Sequence, residues 1–63
     1  MIKVKFTVRK DDVNDFPALV ERVRNAVCAK EEVVMHEFTI VPIQVTLEVE
    51  MDIPVLTVEG YIK

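Results

Sequence analysis

Serine and tryptophan are missing from this 63-residue chain, and glycine, cysteine and histidine occur once each, as Gly60, Cys28 and His36. Without serine there is no serine nucleophile. A single glycine rules out a glycine-rich phosphate loop, which needs several. One cysteine cannot close an intrachain disulfide, and Cys28, His36 and the scattered carboxylates show no metal-ligand spacing. Charges interrupt the apolar residues of "IKVKFTVRK", so no signal-peptide core is expected there. Apolar runs fall well short of the roughly 18 residues a membrane span requires. These absences point away from membrane and secretory classes, and the lone thiol fits a reducing cytoplasm.

What is present is valine and charge. Thirteen valines and 30% charged residues stand against two asparagines and one glutamine. Charge-rich, amide-poor composition is a thermophile tendency, so a thermophilic source is expected. Net charge is −3 and the isoelectric point about 5.0, but the charges are unevenly spread. Lys3, Lys5, Arg9 and Lys10 fall in the first ten residues with no acid among them. Glu31, Glu32, Glu37, Glu48, Glu50, Asp52 and Glu59 fall in 31–60 with no lysine or arginine.

Periodicity organises the chain as a single domain, 1–63. Ile2, Val4, Phe6 and Val8 alternate with Lys3, Lys5, Thr7 and Arg9, the period-2 pattern of a half-buried strand. A helix is expected over about 15–30, capped by Asp15, with Pro17 in its first turn. Its apolar face holds Phe16, Leu19, Val20, Val23, Ala26 and Val27. Residues 33–41 read as a strand apolar on both sides, and 43–51 as a cleanly alternating strand with Gln44, Thr46, Glu48 and Glu50 outward. Residues 55–62 form the last strand, in which Gly60 signals a bulge or the close approach of another backbone. The order β-α-β-β-β with one apolar helix stripe predicts an α+β fold, an antiparallel-rich sheet with one helix packed on one face.

Turn chemistry is sparse between residues 40 and 58. Asp52-Ile53-Pro54 predicts a hairpin near 51–54, whereas Pro42 predicts a kink or corner, a proline being confined to edges, bulges and corners of sheets. Opposite charges across a strand pair contribute roughly 0.2–1 kcal/mol each. The charge asymmetry therefore predicts that the first strand lies beside 43–51.

These observations argue against an enzyme. Cys28 with His36 is better explained by chance than as a thiol–base dyad, and Glu48 with Glu50 reads as a solvated strand face. A domain of this length buries only about 60% of its unfolded surface, and oligomerisation is a usual remedy. The expected function is a non-enzymatic homo-oligomeric assembly or protein-interaction module, with Val33, Met35, Val41 and Pro42 at the interface and no cofactor. The alternative is a dimeric nucleic-acid-binding protein using Lys3, Lys5, Arg9 and Lys10, against which stand the acidic isoelectric point and the few aromatics.

The order strand, helix, strands, with the segment "QVTLEV", resembles dodecins, small flavin-binding shells of strand-helix-strand-strand protomers. That resemblance implies a ligand-binding oligomeric shell. It extends over a few residues, and this chain has no Trp, the residue that sandwiches flavin in that family, so no flavin site carries over.

Overall fold

A computed structural model describes residues 2–35 and 37–63. In chain order the elements are β1 (Ile2–Arg9), a 3-10 turn (Lys10–Asp12), α1 (Phe16–Ala29), β2 (Val33–Met35), β3 (Phe38–Glu50) and β4 (Ile53–Ile62). The described residues form one antiparallel sheet of order β1-β4-β3-β2, the α+β architecture that the periodicities predict.

Local chemistry accounts for the helix and its ends. Asp15 caps α1 by accepting a hydrogen bond from the Ala18 backbone N–H at 3.2 Å, and Pro17 sits where its missing N–H costs nothing. At the other end Lys30 adopts the left-handed conformation (φ 57°), which lets the N–H groups of Lys30 and Glu31 reach the Ala26 carbonyl. The helix buries Phe16, Val20, Val23 and Ala26. It lies chiefly across β3, and it is tied to β2 by Arg22 Nη2, which donates to the Val34 carbonyl at 2.7 Å. The core beneath it holds Val8 from β1, Leu56 and Val58 from β4, Ile40 from β3, and Val33 and Met35 from β2.

Three expectations are corrected by the strand pairing. Residues 33–41 are not one strand: Met35 pairs antiparallel with Phe38, so the chain reverses between them, and His36 itself lies outside the described residues. A two-residue reversal brings 35 and 38 to the same face, so Val33, Met35 and Ile40 all point to the core. The apparent second apolar face arose from reading two strands as one. Secondly, of the positions expected for Pro42 the chain takes the bulge rather than the corner, and β3 runs through it to Glu50. Pro42 pairs with Gly60 and Gln44 with Glu59, so Ile43 is the extra residue of a β-bulge. Thirdly, β1 pairs with β4 rather than with 43–51. The two charged strands lie apart with β4 between them, because hairpin connection makes β3 and β4 neighbours.

The hairpin expected near 51–54 is present, with Glu50 paired to Ile53 across Met51 and Asp52. Both turn residues have positive φ, 51° and 66°, as a two-residue type I′ connection demands. Gly60 supplies the close approach anticipated for it. A Cβ there would stand 2.4 Å from the Val41 carbonyl oxygen and 2.9 Å from Pro42 Cα. Among the described residues no helix is long and apolar enough to cross a membrane.

Candidate interaction surfaces

The sheet has one face under α1 and one open. Register aligns the open face into cross-strand rows: Lys3, Tyr61 and Val41; Lys5, Glu59 and Gln44; Thr7, Thr57 and Thr46; Arg9, Val55 and Glu48. Directly opposed side chains are the units that stabilise such a face. Lys5 Nζ lies 3.3 Å from Glu59 Oε1, and Arg9 Nε lies 3.8 Å from Asp11 Oδ1. Both pairs are solvent-exposed and contribute at most about 1 kcal/mol each. Lys63 pairs with Glu32 at the β2 end of the sheet.

The basic residues do not form one patch. Lys3, Lys5 and Arg9 share the open face of β1 at every second position, whereas Lys10 leaves the strand and lines a cleft against α1. That cleft, about 580 Å³ and open to solvent, also draws on Phe16, Pro17, Val20, Leu47 and Pro54. A smaller apolar hollow of about 220 Å³ lies between Val4, Phe6, Phe38, Ile40 and Ile62. Among the described residues no three His, Cys, Asp or Glu side chains converge as a metal site. Cys28 is exposed on α1.

The interface residues expected from sequence are mostly interior. Val33 is 4% and Met35 3% exposed, both beneath α1. Pro42 is buried and Val41 half-buried. The side chains of Val33, Met35 and Pro42 are thus covered within the chain itself.

Exposed apolar residues occur elsewhere. Leu47, Val49 and Met51 are 46%, 71% and 85% exposed at the β3–β4 hairpin, and Ile2, Val34, Phe38 and Ile43 are also exposed. Leu47 and Val49 belong by register to the helix side of the sheet, opposite Leu56 and Pro54, yet solvent reaches them. The second feature is a sheet edge. Within the described residues β2 pairs with 38–40 alone, so β3 from Val41 to Glu50 has a pairing partner on one side, β4. Sequence patterning missed this edge because it follows from the shortness of β2, which only its pairing with 38–40 reveals.

Comparison with protein-family models, with curated proteins and with solved structures gives no significant match to this chain.

Proposed function

We propose that the protein is a non-enzymatic homo-oligomeric assembly module whose partner is another copy of itself. The supporting observation is the outer edge of β3 over Val41–Glu50, flanked by the exposed Leu47, Val49 and Met51. An edge of this length presents a row of N–H and C=O groups ready to pair with another strand. Apolar side chains beside it add burial at about 25 cal/mol per Å² covered.

Nucleic-acid binding through Lys3, Lys5, Arg9 and Lys10 is the weaker reading. Lys5 and Arg9 each face a carboxylate, and Lys10 lies apart from the other three. Among the described residues no group of His, Cys, Asp or Glu side chains converges to support a catalytic role.

Native mass spectrometry together with sedimentation of freshly purified protein tests the proposal and reports any retained ligand. The expected result is a multiple of the 7.2 kDa chain mass at micromolar concentration. Val49→Lys, at a residue 71% exposed, should lower that mass while leaving the fold intact. Wild-type protein that stays monomeric over the whole micromolar range would sink the proposal.

A further inference from the structure

We propose that copies join head to tail, the outer edge of β1 in one copy adding in parallel to the β3 edge of the next over residues 44–50. This rests on the reading that the chain assembles with itself, and it names the two surfaces that meet. The sheet order places β1 at one margin of the sheet and the uncovered part of β3 at the other. Because β1 is antiparallel to β4 and β4 to β3, β1 and β3 point the same way. A second copy set beside the first in the same orientation therefore brings its β1 parallel to β3. The helices stay on one side, and Lys3, Lys5 and Arg9 come onto the face that carries Glu48 and Glu50.

Length and charge then choose the register. β2 occupies the β3 edge at 38–40, and the bulge at Ile43 interrupts it, leaving seven residues, 44–50, for the eight of β1. Setting Arg9 of the second copy beside Glu50 puts Lys5 beside Thr46 and within diagonal reach of Glu48, where opposite charges still interact. On the helix side the same register sets the half-buried Phe6 of the second copy beside the exposed Leu47. Self-pairing of either edge does the opposite. β1 on β1 about Phe6 sets Lys3 against Arg9, and β3 on β3 gathers four glutamates on one two-stranded face. Like charges opposed in this way are destabilising. Among the described residues Lys5 and Arg9 already face Glu59 and Asp11 within the chain, while Glu48 and Glu50 have no ion pair there, and the pairing supplies their opposite charges between copies. A contact between two different surfaces does not close at two copies; it continues into a ring or a filament.

Two charge-reversed variants test this: Glu48→Lys with Glu50→Lys, and Lys5→Glu with Arg9→Glu. Each alone should raise the concentration needed for assembly by roughly tenfold or more, since attractive pairs become repulsive. An equimolar mixture should assemble like wild type, because the altered β3 edge of one variant meets the altered β1 edge of the other with both charges reversed, and the two unaltered edges meet as in wild type. Far-UV circular dichroism checks that both remain folded. If either does not, Glu50→Gln and Arg9→Gln replace them, and each should weaken assembly alone with no rescue on mixing. Raising ionic strength from about 0.01 M to about 1 M shortens the Debye length from roughly 30 Å to roughly 3 Å and should weaken wild-type assembly. Assembly that strengthens with salt, masses that stop at two copies, or reversed variants that assemble as wild type overturn the head-to-tail pairing while leaving self-association standing. A monomeric wild type overturns both.

Discussion

Replacing Gly60 by alanine sets two effects of known sign against each other. Gly60 has no positive φ, so alanine can adopt its backbone conformation, and the loss of unfolded-state freedom alone would stabilise by about 0.4–1 kcal/mol. Against this, the added Cβ would meet the Val41 carbonyl oxygen at 2.4 Å, Pro42 Cα at 2.9 Å and the Val41 carbonyl carbon at 3.1 Å. All three are backbone atoms of β3, so no side-chain rotation relieves the overlap and the strand itself must move. Overpacking of this kind costs typically about 1–3 kcal/mol, and the rigid neighbours place this case at the upper end. The net expectation is a loss of about 2 kcal/mol. In a domain this small, that lowers the melting temperature by about 8–16 °C. Thermal and urea unfolding followed by circular dichroism at one fixed protein concentration would measure it, since the midpoint of any self-associating protein depends on concentration. Pro42→Ala should not rescue the variant, because the contacts are with backbone rather than the proline ring. A Gly60→Ala protein as stable as wild type would refute the close packing of β4 on the bulge.

Three further variants probe separate parts of the fold. Met51→Asn with Asp52→Gly installs residues that accept positive φ at the turn and should stabilise by about 1 kcal/mol, read as a higher urea midpoint at unchanged slope. Met35→Ala removes a side chain 3% exposed and should cost about 2–5 kcal/mol by chemical denaturation; a change confined to oligomer mass would place Met35 at an interface instead. Asp15→Ala removes the acceptor for the Ala18 N–H and should cost about 1 kcal/mol, seen as a lower melting temperature.

Much of the fold is legible in the residues because each element carries its own period. The alternation of Val4, Phe6 and Val8 against Lys3, Lys5 and Arg9 is local, and so is the stripe from Phe16 to Val27; the buried positions follow both. Asp15, Pro17 and Gly60 are equally legible, since a cap, a helix-start proline and a glycine tolerated only at close approach are properties of single residues in their immediate surroundings. The candidate interface was not legible in the same way. Val33 and Met35 look like a spare apolar face if 33–41 is one strand, and like core once Met35 pairs with Phe38. Period 2 carries no mark that distinguishes the two, because a two-residue turn shifts the face by one step while leaving the composition unchanged.

The sequence by itself determined the class of fold, the order of its elements, the helix limits and the role of Gly60, all of which rest on short-range sterics and periodic burial. Only the tertiary structure decided which strands are neighbours. Charge favours β1 beside β3, but the difference is a few tenths of a kcal/mol per pair. The continuous hairpin of β3 and β4, with the core shared by Leu56, Val58 and Val8, outweighs it. Strand order thereby leaves basic β1 and acidic β3 on opposite margins of the sheet, where a second copy can bring them together.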